Sequence, residues 1–425
     1  MRAQKWKRET LLWGLCLSVA INTTAMSAPQ EPGTATQPAS PAASSSAQVG
    51  AQPKMDAQTP DATGLILPES TAMTPPSVLQ VSAEKPVRLT LLLPLRSDSL
   101  GNAANAVKAG FLAAFDQEKS GLALKIVLTT DIPEEVVSNY INALPDSDIV
   151  IGPLTRSSAA AIAESGAVRV PTISLTQSDA GIEGAQALPA QMLTMGLSVE
   201  DEAREAAGWV AANKVHKVLV AYTSSAWQRR AAKAFAARAR GLGMDVALIE
   251  LGSTLGFLSA LDLERIKKDV QAEKSATVFA ALDAAQTKQL REVIGNEPAI
   301  YGTGQLNPVT LPDRTTAERM PELAGVRLLD IPWQLQPDHA AVMIYPRMVV
   351  AADQKRSADL ERLYALGVDA FRVARQVAAQ RKQFEVDGVT GRLKVAFDKN
   401  GTHFERIEPY AIYRDGLATF LSDGH

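Results

Sequence analysis

The sequence predicts an α/β protein whose folded body is two doubly wound parallel sheets with a cleft between them. Three observations predict it. Strand-like apolar runs alternate with amphipathic helical stretches from Val87 to Gly302, and such alternation implies parallel strands joined by crossover helices. The alternation comes in two consecutive sets divided near Ser198, and two lobes leave a crevice of the kind in which ligands sit. Early strands run out into loops rich in small or hydroxyl residues, Pro94 to Gly101, Gly152 to Ser158 and Ser174 to Ser178. In open α/β sheets such loops gather at the carboxyl edge, where these folds bind things.

The chain has 425 residues and two compositionally unlike ends. Arg2, Lys5, Lys7 and Arg8, then the apolar run Leu11 to Ile21, then Ala25 to Ala28, read as a secretory signal peptide over residues 1–27. The apolar run is shorter than the roughly 20 residues of a membrane span. Cys16 is the only cysteine and has two readings. Cleavage near Ser27 removes it, leaving no disulfide, thiolate metal site or cysteine nucleophile; as a lipobox cysteine it would carry a lipid anchor, although Leu15 stands where a small residue is usual. Residues 28–86 are rich in Ala, Pro, Ser, Thr and Gln, too polar to offset their ordering entropy, and are expected to form a disordered tether. Export suits a bacterial periplasm, with outer-membrane association through Cys16 if it is lipidated.

The folded domain is expected over 87–425. Strands are predicted at Val87 to Leu93, Ala123 to Leu128, Ile149 to Ile151, Thr172 to Leu175, Val218 to Tyr222, Val246 to Leu251, Thr277 to Leu282 and Ala299 to Gly302. Ala103 to Lys119 places Ala106, Val107, Gly110, Phe111, Ala114 and Phe115 on one helical side. Glu134 to Leu144, Ser157 to Glu164, Ala226 to Arg240, Leu261 to Glu273 and Ala284 to Ile294 follow the same spacing. Met192 to Leu197 is expected to carry the chain between lobes, and Ser198-Val-Glu-Asp201 to open a helix with a capping-box arrangement. Beyond Gly302 the pattern loosens into a helical stretch from about His339 to Ala352, a long amphipathic helix from Ala358 to Ala379, and a hairpin turning at Lys399-Asn-Gly401 before a last strand. The expected division is lobe 1 over about 87–197 with a returning segment 326–385, and lobe 2 over about 198–325 with a returning segment 386–425.

Net charge is −3, with Lys and Arg scattered among acids, so nothing favours nucleic acid. The four histidines, His216, His339, His403 and His425, are dispersed without metal-ligand spacing. Neither a Gly-x-Ser-x-Gly elbow nor a phosphate loop occurs, and Glu134 with Glu135 is explained by a helix start. No catalytic residue, metal or cofactor is expected. Trp227 with Arg229 and Arg230 is a candidate partner surface, since tryptophan and arginine dominate binding hot spots; packing under its helix is the plainer account of Trp227.

Several motifs resemble one family. Val87-Arg-Leu-Thr-Leu-Leu-Leu-Pro-Leu95, Gly110-Phe-Leu-Ala-Ala114, Ile149-Val-Ile-Gly-Pro-Leu154, Ser198-Val-Glu-Asp-Glu-Ala-Arg204 and Ala226-Trp-Gln-Arg-Arg230 are similar to the penicillin-binding protein activator (LpoA/LppC) lipoproteins. So, more specifically, are Asp330-Ile-Pro-Trp333, Arg362-Leu-Tyr-Ala-Leu-Gly-Val-Asp-Ala370 and Gly388-Val-Thr-Gly-Arg-Leu393. The resemblance runs in order from Val87 to Gly416. It implies a type I periplasmic-binding-protein-like fold and a non-catalytic regulator that binds a class A penicillin-binding protein in peptidoglycan synthesis. Family members typically carry a helical domain and a clear lipobox, where this chain has the polar tether and Cys16. The alternative is a periplasmic receptor for an amino acid or similar solute, like the leucine/isoleucine/valine-binding proteins. Matching those receptors makes Ser157, Ser174 and Thr176 the candidates for holding a carboxylate near a helix start, with Tyr222 to stack on the ligand and Asp283 to bind its ammonium. Hydroxyl residues also cap helices routinely, and Asp283 before Ala284-Ala-Gln286 has the form of an N-cap.

Overall fold

Two parallel sheets with the same strand order organise the chain. The computed structural model describes residues 85–177, 188–273, 277–351, 355–398 and 401–422, all inside one compact unit that starts at Gln80. The expected signal peptide, and the expected tether up to residue 84, lie outside the described residues. The first sheet comprises β1 (Val87–Leu93), β2 (Leu122–Leu128), β3 (Ile149–Ile151), β4 (Thr172–Ser174) and β5 (Met192–Thr194), in the order β2-β1-β3-β4-β5 and parallel throughout. Its crossovers are α1 (Gly101–Glu118), α2 (Pro133–Ala143) and α3 (Arg156–Glu164).

The chain then passes into α4 (Val199–Ala212), β6 (Lys217–Tyr222), α5 (Ala226–Gly241) and β7 (Asp245–Glu250). A two-stranded ribbon, β8 (Ser253–Thr254) with β9 (Phe257–Leu258), precedes α6 (Ala260–Ala272), β10 (Thr277–Ala281), α7 (Ala284–Ile294), β11 (Ala299–Gly302) and β12 (Arg327–Leu329). The remainder is α8 (Pro332–Leu335), α9 (Ala340–Ile344), α10 (Ala358–Ala378), β13 (Gln383–Asp387), β14 (Arg392–Asp398), β15 (Gly401–Ile407), β16 (Tyr410–Arg414) and β17 (Leu417–Phe420). The second sheet runs β17-β16-β12-β11-β10-β6-β7, with β7 to β12 parallel and β16 and β17 antiparallel. In each parallel set the first strand in sequence lies between the second and the third, the flavodoxin-like order.

The predicted helices and strands of 87–302 match to within two residues. Three differences follow from pairing and proline chemistry. Met192 to Leu197 does carry the chain across, but its first three residues pair with β4 as a fifth strand. The stretch from His339 stops after α9, because Pro346 lacks an N–H and restricts the residue before it. The returning segments also divide differently from the expected 326–385 and 386–425. β12 completes the second sheet, whereas β13 to β15 form a separate antiparallel sheet lying against β5. Which open edge a strand joins depends on the assembled sheets, which periodicity does not encode. β16 and β17 close the second sheet through Asp415 (φ 50) and Gly416 (φ 73), both left-handed as a type I′ hairpin turn needs.

The first lobe's core is sealed by α10, which returns late in the chain to pack on α1. Phe371 meets Phe111 edge-on at 5.5 Å and Phe115 at 5.7 Å, a geometry worth about 0.5–1.5 kcal/mol per pair beyond burial. The helices approach so closely that a Cβ on Gly110 would run into the Tyr364 carbonyl, and one on Gly367 into the Val107 carbonyl. Two of the family-like motifs therefore meet as a glycine seam. Gly367→Ala should destabilise the protein by about 1–3 kcal/mol in urea unfolding, since neither helix can yield without disturbing the core. Gly208→Ala, on α4 with open space around it, should be neutral or stabilising by about 0.4–1 kcal/mol.

Candidate functional site

Strand order directs attention to two switch points, β1/β3 in the first lobe and β6/β10 in the second, where helices leave to opposite faces and a crevice opens beyond the strand ends. Side chains tie the two lobes together in this region. Glu200, in the first turn of α4, accepts from Arg156 at the start of α3 (2.8 and 3.0 Å) and from Arg230 in α5 (2.7 Å). One carboxylate from the second lobe thus links the loop after β3 to the helix after β6. Gln177 adds a second tie, donating to the Asp201 carboxylate at 2.8 Å while its own carbonyl accepts from Thr194 at 3.3 Å.

The residues expected to hold a solute are mostly occupied locally. Ser157 is exposed in the first turn of α3, whose N-cap is Thr155 instead, accepting from the Ser158 amide at 3.3 Å. Ser174 is buried at the end of β4 and donates to the Thr176 carbonyl at 3.1 Å, and Thr176 donates to the Gln177 carbonyl at 3.4 Å. Asp283 caps α7, accepting from the Gln286 amide at 2.8 Å in a full capping box. Tyr222 is half-buried at the end of β6, its phenol pushed up by burial and then by Glu250. Trp227 is half-buried and Arg229 exposed at the start of α5, while Arg230 is engaged by Glu200. The sequence reading missed Arg156, Gln177, Glu200 and Asp201 as a group. Their signals were the loops Gly152 to Ser158 and Ser174 to Ser178, which hold Arg156 and Gln177, and the capping-box pattern at Ser198, which accounts for the acids by the helix terminus alone.

The chain passes between the lobes after β5, β12 and β15. Asp330, at the end of β12, and Arg362, on α10, are both buried and make a bidentate pair, Nε to Oδ1 at 3.0 Å and Nη2 to Oδ2 at 2.8 Å. Arg362 also donates to the carbonyls of Gly304 (2.7 Å) and Asn307 (2.8 Å), and the Asn307 amide returns to Asp330 at 2.7 Å. Burial works against the guanidinium's charge, but Asp330, Asp359 and Glu202 hold its pKa above the ordinary arginine value. Next along α10, Asp369 accepts from the Val389 amide (3.1 Å), the Thr390 amide (2.7 Å) and the Thr390 hydroxyl (2.7 Å). The three most specific family-like motifs therefore converge on α10. Removing one member of a buried pair leaves an uncompensated charge, so Arg362→Met should cost about 3–5 kcal/mol in equilibrium unfolding. Glu200→Gln should cost under about 1 kcal/mol yet speed amide exchange in the first turns of α3 and α5.

Carboxylates crowd the same junction. Glu202 accepts from the Gly304 amide at 2.7 Å; burial, with Asp330 adding to it, pushes Glu202 up to about 7. Glu205 is pushed up to about 8, by burial first and then by Glu202 and Glu405. Glu408 is buried on the third crossing, its Oε2 has no partner, and burial and Glu202 raise it well above the carboxylate range. The folded protein thus keeps protons that the unfolded chain releases near pH 4.5. Stability from these groups is complete below that pH and is lost as pH rises through about 7 and 8. Urea midpoints measured on either side of that window should fall with rising pH, and Glu205→Gln should flatten the slope.

Among the described residues no helix is long and apolar enough to cross a membrane. A model of the family described as "LppC putative lipoprotein" matches residues 67–416. The chain is 26% identical over 343 residues to a protein of Haemophilus ducreyi named penicillin-binding protein activator LpoA, covering 77% of this chain and 53% of that one. It thus spans about half the length of that curated relative. Among solved structures, a "putative branched-chain amino acid ABC transporter" from Chromobacterium violaceum is 34% identical with TM-score 0.62, over 77% of this chain and 100% of that one. The C-domain of LpoA (YraM) from Haemophilus influenzae, described as a regulator of PBP1A, superimposes with TM-score 0.61 at 22% identity, over 79% of this chain and 99% of that one. The last likeness concerns the fold, which is that of periplasmic-binding-protein-like structures.

Proposed function

Because the chain belongs to the LppC lipoprotein family, we propose that it is a non-catalytic regulator of the bacterial envelope that binds a class A penicillin-binding protein and raises its peptidoglycan-synthesising activity. The observation that carries this reading is the match to that family across residues 67–416, with a relative named penicillin-binding protein activator. The local engagement of Ser174 and Asp283, and the Glu200 bridge between lobes, favour a body used through its surface over one that encloses a solute. Activation requires tighter binding to the active than to the inactive conformation of the synthase. The reading further places the protein in the periplasm, exported by the signal over residues 1–27 and attached to the outer membrane if Cys16 is lipidated.

The test is affinity purification of the tagged protein from mildly crosslinked envelopes, with penicillin-labelled synthases scored in the eluate, followed by glycan polymerisation assays on the purified pair. Enrichment of a class A enzyme and a faster rate are expected. Absence of any penicillin-binding protein, with the bait folded and exported, would sink the proposal.

The 34% identity across the full length of the Chromobacterium protein favours a second reading, a solute receptor for an amino acid or similar molecule. A ligand bound only by the folded state stabilises it by about 2.7 kcal/mol at a hundredfold excess over Kd. Melting in the presence of leucine, isoleucine or valine should leave the midpoint unchanged if the regulator reading holds, and raise it if the receptor reading does.

A further inference from the structure

Among the described residues Arg314 is a cation that no acid pairs. It follows a short 3-10 turn, Leu311–Asp313, in the second lobe. Its side chain is half-buried and makes no hydrogen bond or ion pair among the described residues. Burial disfavours its charge, Arg319 adds like charge, and only the Tyr413 hydroxyl acts in the opposite sense. Arginine remains protonated even so, and a partly desolvated, unpaired charge is costly.

The residue lines a cavity of about 520 Å³ at the corner formed by the end of α8, the loop that follows it and the edge strand β17. That volume lies within the range of small-molecule sites. Leu311, Leu335, Pro337 and Phe420 supply apolar walls, and Gln336 and Thr419 supply hydrogen-bonding groups. Asp338, also lining the cavity, is exposed and forms no ion pair with Arg314. His339 closes one side, with Nε2 3.3 Å from Asp387 and Nδ1 buried without a partner. The corner is not the cleft: four strands separate β17 from β6, roughly 24 Å at the usual strand spacing.

We propose that this corner binds a small organic carboxylate with an apolar body, its carboxylate paired to Arg314 and its body against Phe420 and Leu335. A guanidinium fork matches a carboxylate in two parallel hydrogen bonds, and one unpaired guanidinium matches a single carboxylate. The apolar walls then contribute about 25 cal/mol per Å² of ligand surface removed from water. The carboxylate belongs either to a free acid or to the C-terminus of a peptide.

Calorimetry on the full chain with benzoate and hexanoate, with neutral benzamide as control, tests the proposal. An N-acetylated tripeptide ending in phenylalanine, with a free or an amidated C-terminus, distinguishes the two sources. Saturable binding of carboxylates but not of their amides is expected, with Arg314→Gln weakening it about tenfold or more and Phe420→Ala also weakening it. Unliganded Arg314→Gln should melt no lower than the parent, since it removes an unpaired charge; Arg314→Lys, which keeps the charge and loses the fork, should bind more weakly than the parent. Carboxylates that do not bind, or that bind Arg314→Gln as tightly as the parent, would overturn the proposal. So would binding that responds to Glu200→Gln and not to Arg314→Gln, which would put the ligand in the cleft.

Discussion

The junction between the lobes depends on the buried pair of Asp330 and Arg362. Asp330 ends β12 on the second sheet, and Arg362 stands on α10, which seals the first lobe's core. Two charges withdrawn from water are tolerated only when every lone pair and proton is used. Asn307, the Gly304 and Asn307 carbonyls, and the Ile331 amide, which donates to Asp330 at 2.9 Å, meet that requirement. The pair fixes where the chain crosses after β12, and the acids around it inherit the low-dielectric setting that displaces their protonation.

From that anchor α10 organises the first lobe in register. One turn before the glycine seam, Glu361 is fully buried, accepting from the Trp333 ring at 2.7 Å and from Arg356 at 2.9 Å. Arg347 lies 4.0 Å from the Trp333 ring centroid and donates to that residue's carbonyl. At the seam Gly367 meets α1, and Asp369 then holds the turn between β13 and β14. Gly388 belongs to the same arrangement, since a Cβ there would run into the Asp369 carboxylate. Three of the family-like motifs thus lie where the lobes and the late helix are held together.

Two kinds of electrostatic environment follow. In the cleft the charges are partly solvated and mutually paired, as in Arg156, Glu200 and Arg230. At the junction they are buried and the carboxylates outnumber the cations near them, so protons make up the balance. The Arg314 corner is the converse, a cation that no acid among the described residues pairs. The lobes are therefore joined by contacts of unequal strength, with the cleft ties expendable and the junction not.

The alternation of short apolar runs and amphipathic helices was enough to read both parallel sheets, because crossover connection and strand period are local consequences of residue order. Ser198 and Asp283 as caps were equally legible, each needing only its own next three residues. The Asp415-Gly416 turn is just as local, yet the expected pattern ends on one last strand where the structure has both β16 and β17. What the sequence could not decide depends on edges and distances. Met192 to Thr194 became a strand because β4 left an edge open, and β13 to β15 settled against β5 for a related reason. Glu200 reads as an ordinary helix-start acid until Arg156 and Arg230 are brought to it from opposite lobes. Asp330 and Arg362, 32 residues apart, were visible as motifs, but their pairing, and hence the junction, exists only once α10 has returned to the first lobe. Local order chose the elements; tertiary proximity chose their partners and displaced the pKa values of the junction carboxylates.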